Sequence, residues 1–204
     1  MAGEWALPSR SRGLLVVVSG PSGVGKGTVR RHLQELLPEL TYGVSVTTRP
    51  PRPGERDGVT YHFVSVEEFG KMRDAGELVE WAEVYGNYYG TPRNPMEGLL
   101  AQGRDVIIEK DVQGAKTLMG MYPDAVYVFI LPPSLAELKR RIHSRGADPD
   151  DSIAVRLRKA EEEMAEVVRY QYAIVNDDAI KAARLLRSII EAERCKVSRL
   201  FGGG

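Results

Sequence analysis

The segment Gly20-Pro21-Ser22-Gly23-Val24-Gly25-Lys26-Gly27-Thr28 lies between two regular patterns. Residues 14–18 form a short apolar run that predicts a buried strand, and residues 26–37 repeat apolar residues with the period of an amphipathic helix. A glycine-rich turn between a strand and a helix directs backbone N–H groups and the positive end of the helix at one anion. The Lys26 ammonium adds a charge that can reach the β- and γ-phosphates of a nucleotide. The segment therefore predicts a phosphate-binding loop, and each of its residues is a candidate for contact with a nucleoside triphosphate.

The alternation of apolar strands and helices continues through the chain. We predict further buried strands at residues 105–111, 126–131 and 173–177, and helices at residues 134–144, 152–170 and 179–194. This alternation predicts an α/β fold in which a mostly parallel sheet is covered by helices on both faces. Ligands of such sheets bind beyond the carboxyl ends of the strands. The loop, Asp111 and Asn176 all follow predicted strands, so we expect them to share that edge.

Two parts of the chain interrupt the alternation. The first part is residues 44–92. Extended segments are predicted at 42–49, 59–64 and 78–84, a helix at 65–75 and a turn-rich aromatic segment at 85–91. The next helix is predicted to start at Asn94. Residues 137–156 carry a cluster of basic residues. We therefore expect one domain over residues 13–199, with a core at 13–43, 93–136 and 157–199, an inserted lobe at 44–92 and a small lid at 137–156. Residues 1–12 and 200–204 are predicted to be flexible ends.

Arg49 and Arg52 stand in the proline-rich stretch 49–54. Its prolines favour a polyproline II conformation, whose three-residue period places both arginines on one side of a stiff segment. Two parallel guanidinium groups suit a phosphate. A solvated loop with incidental arginines is an equally good interpretation of this stretch alone.

Charge and composition exclude several classes of protein. Lys and Arg together number 28, as do Asp and Glu, so the formal net charge is zero, whereas a general nucleic-acid or membrane-surface binder is usually basic. The single cysteine, Cys195, excludes an intramolecular disulfide and a multi-cysteine zinc site. No apolar run approaches the roughly 18 residues of a membrane span, and residues 1–12 lack the apolar core of a signal peptide. We expect a cytoplasmic protein that binds neither nucleic acid nor membrane.

Seven segments in order resemble the guanylate kinase family, over about residues 13–195. They are Gly-Pro-Ser-Gly-Val-Gly-Lys (20–26), Ser-Val-Thr-Thr-Arg-Pro-Pro-Arg-Pro-Gly (45–54), Tyr-His-Phe-Val-Ser (61–65), Glu-Trp-Ala (80–82), Gly-Asn-Tyr-Tyr-Gly-Thr (86–91), Asp-Val-Gln-Gly (111–114) and Ile-Val-Asn-Asp (174–177). The resemblance implies a P-loop kinase fold with an inserted GMP-binding lobe and a basic lid. It also implies Mg²⁺-dependent transfer of a phosphoryl group from ATP to GMP, and to dGMP, in purine metabolism, with no obligatory protein partner.

The resemblance also implies roles for individual residues, which fall into four groups. The phosphate of GMP would be bound by Arg49, Arg52, Tyr61 and Tyr89. The guanine base would be read by Ser45, Glu80, Thr91 and Asp111. The transferring phosphate would be stabilised by Lys26, Arg141, Arg145 and Arg156, and ATP would be bound by the loop and Asn176. Chemistry supports Glu80, because one carboxylate can accept both the N1–H and the N2 amine of guanine, whereas adenine offers an acceptor at N1.

Two residues depart from the family pattern. Gly27 stands where a phosphate loop usually has the serine or threonine that helps to hold Mg²⁺. We therefore expect ATP phosphates and water to hold most of the Mg²⁺, with Thr28 as a candidate ligand. Lys110 stands where the family usually has an apolar residue. It could extend along the sheet or pair with a nearby acid, and the sequence leaves both alternatives open.

Two other functions fit parts of the sequence. A non-catalytic guanylate kinase-like module would bind protein partners, but such modules usually have degraded phosphate loops, whereas this loop and its arginines are intact. A related kinase could prefer another nucleoside monophosphate, which Glu80 and Asp111 argue against. Turnover of GMP distinguishes the first alternative, and comparison with other monophosphates distinguishes the second.

Overall fold

The computed structural model describes residues 10–84, 86–144 and 150–201, which form two sheets with helices around them. The strands are β1 Leu15–Ser19, β2 Thr41–Tyr42, β3 Val46–Thr47, β4 His62–Phe63, β5 Leu78–Val84, β6 Asn87–Pro92, β7 Val106–Glu109, β8 Val126–Leu131 and β9 Tyr172–Val175. The helices are α1 Lys26–Leu36, α2 Val66–Asp74, α3 Arg93–Ala101, α4 Val112–Met121, α5 Leu135–Ser144, α6 Asp150–Ala165, α7 Ala179–Arg194 and α8 Val197–Phe201. A 3₁₀ turn at Glu166–Arg169 follows α6.

The larger sheet is parallel throughout and has the strand order β2-β7-β1-β8-β9. Its central strand β1 is completely buried, because both faces of the sheet are covered. Val16 and Val18 pack with α1 and α7 on one face, while Leu15 and Val17 pack with α3 and α4 on the other. This architecture confirms the predicted α/β fold with a parallel sheet between helices.

The smaller sheet has the order β4-β3-β6-β5 and is mixed. Strand β3 pairs in parallel with β4 and antiparallel with β6, which forms an antiparallel pair with β5. Phe69 of α2 packs beneath this sheet with Val46 and Leu78. The N-terminus of α2 has the predicted capping box between Ser65 and Glu68. This sheet therefore has a small apolar core of its own, separate from that of the larger sheet.

Several predicted elements differ from those observed. The extended segment at 42–49 is divided between the two sheets, because Gly43 passes so close to β7 that a β-carbon would lie 2.5 Å from Ile108 Cγ2. The strand predicted at 59–64 is shortened to β4 by a turn at Gly58, where φ is 71°. Residues 87–91 of the predicted turn-rich segment instead belong to β6, since β3 and β5 both pair with it. Helix α3 begins at Arg93 rather than after an Asn94 cap, and α4 has no counterpart among the predicted helices.

Residues near both ends of the described chain contact the rest of the fold. Arg10 forms an ion pair with Asp105 at 2.8 Å and Arg12 pairs with Glu97, so residues 10–12 are held against the core. Helix α8 includes Leu200 and Phe201, which we predicted to lie in a flexible end. The predicted helix 152–170 changes to the 3₁₀ turn after Ala165. The segment between the helices predicted at 134–144 and 152–170 lies mostly outside the described residues. None of the described helices has the length and apolar character needed to cross a membrane.

Candidate active site

The phosphate loop joins β1 to α1, and its backbone has the conformation that the glycines predict. Gly20, Gly23 and Gly25 have φ values of 144°, 84° and 98°, a region that favours glycine. A β-carbon on Gly20 would lie 2.3 Å from the carbonyl oxygen of Ile130 on the neighbouring strand. Lys26 Nζ donates to the carbonyls of Gly20 and Pro21, which holds the ammonium over the loop. The loop is therefore a preformed cradle for an anion at the N-terminus of α1.

Asn176 follows β9 and contacts the loop, as the position of both after parallel strands predicts. Its Nδ2 donates to the Val24 carbonyl at 2.8 Å. Arg141 of α5 donates to the same carbonyl and to the Asn176 carbonyl, both at 3.1 Å. Thr28, the candidate metal ligand, lines a cleft with Gly25, Arg141 and Asn176. This side of the loop brings together one candidate for the transferring phosphate and three candidates for ATP binding.

Helix α6 approaches the loop from another direction. The Arg156 guanidinium lies 3.4 Å from Ser22 Oγ, so this predicted arginine is at the loop. Glu163 lies further along α6 and lines a cleft with Lys26. Burial raises the pKa of Glu163, although Lys26 and a hydrogen bond to the Ser22 backbone act in the opposite direction. Arg145, the third predicted arginine of the lid, lies outside the described residues.

The cleft shared by Lys26 and Glu163 reaches the smaller sheet. Lys26 and Ser22 lie at its loop end. Its other lining side chains include six candidates or departures from the sequence analysis: Ser45, Tyr61, Glu80, Tyr89, Lys110 and Asp111. Residues from both sheets and from the loop therefore face one space.

Glu80 lies in β5 and is only 5% exposed. Its Oε1 accepts a hydrogen bond from Thr91 Oγ1 at 2.6 Å and forms an ion pair with Lys110 Nζ at 2.8 Å. Lys110 Nζ also donates to Ser45 Oγ at 3.0 Å. Of the two alternatives left open for Lys110, the structure therefore shows pairing with an acid. Three of the predicted base-reading residues belong to one buried polar network centred on Glu80 and Lys110.

Asp111, the fourth predicted base reader, is the N-cap of α4. Its Oδ1 accepts from the Gly114 backbone N–H at 2.8 Å. A β-carbon on Gly114 would lie 2.9 Å from Glu80 Oε2 and 3.1 Å from Asp111 Oδ1. Both carboxylates therefore approach the first turn of α4, where the helix dipole favours negative charge. The two carboxylates can come this close to the helix because Gly114 has no side chain.

The predicted phosphate-binding arginines converge on Glu55. Arg49 Nη2 lies 2.8 and 2.9 Å from the two carboxylate oxygens of Glu55, and the Arg52 backbone N–H donates to Oε2 at 2.7 Å. Burial acts to raise the pKa of Glu55, but these hydrogen bonds and guanidinium charges lower it overall. The Arg49 guanidinium also lies 5.6 Å from the centre of the Tyr61 ring, which meets Tyr89 edge-on at 5.9 Å. Arg49, Tyr61 and Tyr89 are thus brought together, while Arg52 lies on the exposed side of the turn.

The sequence model of the guanylate kinase family matches residues 12–193 of this chain. The chain belongs to the guanylate kinase family. A guanylate kinase from Symbiobacterium thermophilum is 51% identical over 193 residues, covering 95% of this chain and 92% of the relative. One from Thermosynechococcus vestitus is 54% identical over 178 residues, covering 87% and 93%. The crystal structure of guanylate kinase from Anaplasma phagocytophilum superposes with a TM-score of 0.78 at 37% identity, covering 95% of this chain and 92% of that one.

Guanylate kinase motifs identified most of the residues that line this cleft, but four residues of the site had no predicted role in it. Lys110 was noticed as a departure from the family pattern, without a partner. Gly114 belongs to the Asp-Val-Gln-Gly segment and could have been recognised as a close-approach glycine. Glu55 and Glu163 carry no local signal, because their contacts with Arg49 and with the loop depend on the tertiary fold.

The sequence predicts that ATP and water hold most of the Mg²⁺, with Thr28 as a candidate ligand. Within residues 10–84, 86–144 and 150–201, no group of three or more histidine, cysteine, aspartate or glutamate side chains could hold a metal ion. Hard oxygen donors of the kind that Mg²⁺ prefers are nevertheless present in the cleft beside Lys26, on Asp111 and Glu163. These donors fit a metal ion that arrives with a nucleotide, because such ions keep several waters and phosphate ligands.

Proposed function

We propose a division of roles along one cleft for the reaction of this guanylate kinase, in which ATP and GMP give ADP and GDP. The observation that carries the proposal is that Lys26 of the phosphate loop and Glu80 of the smaller sheet line the same cleft. One end offers an anion cradle and the other a buried carboxylate. The phosphates of ATP fit the first end, and the donor-rich base of GMP fits the second.

The loop end would bind ATP. Its glycine-rich backbone and the N-terminus of α1 present N–H groups to the phosphates, and Lys26 supplies a cation. Asn176 and Arg141 flank the loop on the side of Thr28, which is open to the rest of the nucleotide. Magnesium bound to the phosphates would neutralise charge, and Asp111 and Glu163 are the carboxylates placed to hold its waters.

The Glu80 end would bind the base. The Glu80 carboxylate has one oxygen fixed by Thr91 and Lys110, which orients the group towards the cleft. Guanine can donate its N1–H and N2 amine to this carboxylate, whereas adenine presents an acceptor at N1. Since an unpaired buried polar group is costly, such a site favours guanine strongly. Ser45 and Asp111 offer further polar groups beside it.

The phosphate of GMP would replace Glu55 at Arg49. The Glu55 carboxylate already accepts from the Arg49 guanidinium and the Arg52 backbone, so this position binds an oxyanion in the structure. A phosphate carries more charge and more acceptor oxygens than a carboxylate. The hydroxyls of Tyr61 and Tyr89, whose rings meet beside Arg49, would complete the site.

In the chemical step, an oxygen of the GMP phosphate attacks the γ-phosphorus of ATP, and the bond from that phosphorus to the β–γ bridging oxygen breaks. The attacking phosphate is largely ionised near neutral pH, so a strong general base is not required. Catalysis then depends on alignment and on neutralising the charge of the transferring group. Lys26 and Arg156 stand at the loop for this purpose, and Arg145 and Arg141 are further candidates.

A coupled assay of ADP release with GMP, dGMP, AMP, CMP and UMP tests the proposal. We expect turnover with GMP and dGMP and little with the other three. Folded protein that does not turn over GMP would contradict the proposal and would favour a protein-binding module. A cytoplasmic location and the lack of an obligatory protein partner stay predictions from the sequence.

A further inference from the structure

Lys110 is a buried lysine directly after the last residue of β7. It is 7% exposed, and a buried ammonium is costly unless it is paired. The alternation along β7 turns its side chain to the opposite face from Glu109, towards β5 and the N-terminus of α4. Its charge is thereby placed at the end of the cleft that holds Glu80.

One of the three N–H donors of the Lys110 ammonium has no partner among the described residues. Lys110 Nζ carries three protons. Its partners among residues 10–84, 86–144 and 150–201 are Glu80 Oε1 at 2.8 Å and Ser45 Oγ at 3.0 Å. The third N–H is therefore available to a ligand in the cleft that Lys110 lines.

The geometry of guanine relates this donor to one atom of the base. Guanine carries the N1–H between the N2 amine on one side and the O6 acceptor on the other. If Glu80 Oε1 accepts from N1–H and Oε2 from the amine, the group bonded to Oε1 lies on the O6 side. Thr91 and Lys110 are both bonded to Oε1, and of the two Lys110 is the one that lines the cleft. In the reverse pairing the ammonium would face the amine, and two donors would oppose each other.

We propose that Lys110 is a specificity-determining residue that donates its third N–H to the 6-oxo group of the purine. The inference rests on the proposed binding of guanine at Glu80. Lys110 and Glu80 together form a donor beside an acceptor, which matches the 6-oxo and N1–H edge of guanine. The 6-amino group of adenine is a donor, so the ammonium opposes it just as Glu80 opposes the adenine N1 acceptor.

Equilibrium binding of GMP and 6-thio-GMP tests the proposal in wild type and in Lys110→Met. The two ligands differ at the 6-position, where sulfur is a weak acceptor, and both keep N1–H and the amine. We expect Lys110→Met to weaken GMP binding about 10- to 100-fold, the effect of one charge-assisted hydrogen bond. We expect it to weaken 6-thio-GMP binding much less, so that the preference for GMP falls about 10-fold. The KM for ATP should stay within about twofold of wild type.

Lys71→Met, an exposed lysine of α2, is the matched control and should leave both affinities unchanged. Equal weakening of the two ligands by Lys110→Met would overturn the proposal, because Lys110 would then act through Glu80 alone. Thermal unfolding checks that the variant is folded. If it is not, Lys110→Leu also removes all three donors with a side chain of different shape, and the same ratio decides. Absence of GMP turnover by wild type would instead overturn the proposed function, so the two failures are distinguishable.

Discussion

A β-carbon on Gly114 would lie 2.9 Å from Oε2 of Glu80, closer than side-chain carbons approach such an oxygen without displacing it. Gly114 is the third residue of α4, and its N–H is capped by Asp111. The first turn of this helix therefore lies against the carboxylate that we propose binds guanine. The close contact between this turn and Glu80 is possible because Gly114 has no side chain.

Gly114→Ala should accordingly weaken GMP binding. The added methyl group pushes the Glu80 carboxylate away from its contacts with Thr91 and Lys110. We expect the KM for GMP to rise about 10-fold, the loss of about one hydrogen bond, while the KM for ATP changes little. Steady-state kinetics with each substrate varied in turn measures both.

Gly120→Ala is the control for this substitution in the same helix. A β-carbon on Gly120 meets no other atom within 4 Å. Alanine is the better helix former, so this variant should be neutral or more stable by up to about 1 kcal/mol. An unchanged KM for GMP in Gly114→Ala, with the variant folded, would contradict the position assigned to Glu80.

Lys26→Met should separate catalysis from GMP binding. Lys26 contacts the Gly20 and Pro21 carbonyls at the loop end of the cleft, whereas the network of Glu80 and Lys110 lies at the other end. Loss of the ammonium removes charge stabilisation of the transferring phosphate. We expect kcat to fall about 10³-fold or more, and the Kd for GMP, measured calorimetrically, to stay within about twofold. A kcat near that of wild type would show that the loop does not have its assigned role.

Glu163 should make stability depend on pH in a defined direction. Burial raises its pKa above the ordinary value of 4.5, so the folded protein keeps a proton that the unfolded chain has already lost. The contribution of Glu163 to the unfolding free energy therefore falls as the pH rises through that range. Glutamine has no charge to bury, so Glu163→Gln should gain in Tm relative to wild type between pH 4 and pH 8.

Melting curves of both proteins across this range measure the effect. Glu161→Gln, on the exposed side of the same helix, is the control for replacing a glutamate by glutamine. A Tm difference for Glu163→Gln that is constant or shrinks with rising pH would mean that Glu163 is not held in the buried setting described.

The sequence predicts the parallel core well because its signals are local. The apolar run of β1, the helical period of α1, the capping box of α2 and the Ser134 cap of α5 each depend on neighbouring residues. The smaller sheet is harder to predict. Strand β6 follows Gly86 and contains two tyrosines together with residues that favour turns. It forms a strand because β3 and β5 pair with it on either side. That pairing is non-local, so composition alone favours a turn.

The site shows the same division between local and tertiary information. The loop motif and the resemblance to guanylate kinases point to the loop, Glu80 and Asp111 as candidates, but not to the partners that fix them. The polyproline interpretation places Arg49 and Arg52 on one side of a stiff segment. In the structure, the Glu55 carboxylate accepts hydrogen bonds from the Arg49 side chain and from the Arg52 backbone N–H. Lys110 pairs with Glu80 across 30 positions of sequence, a contact that no periodicity encodes.

Substitution of Glu80 by glutamine tests the account most directly, because Glu80 is the residue to which guanine selection is assigned. The measured quantity is the ratio of kcat/KM for GMP to that for AMP. An amide offers a donor as well as an acceptor, so it cannot accept both guanine donors and it can donate to adenine N1. Glu83→Gln, an exposed glutamate of the same strand, is the control. We predict that Glu80→Gln lowers the ratio about 100-fold or more while Glu83→Gln leaves it unchanged. A ratio unchanged in folded Glu80→Gln would contradict the account.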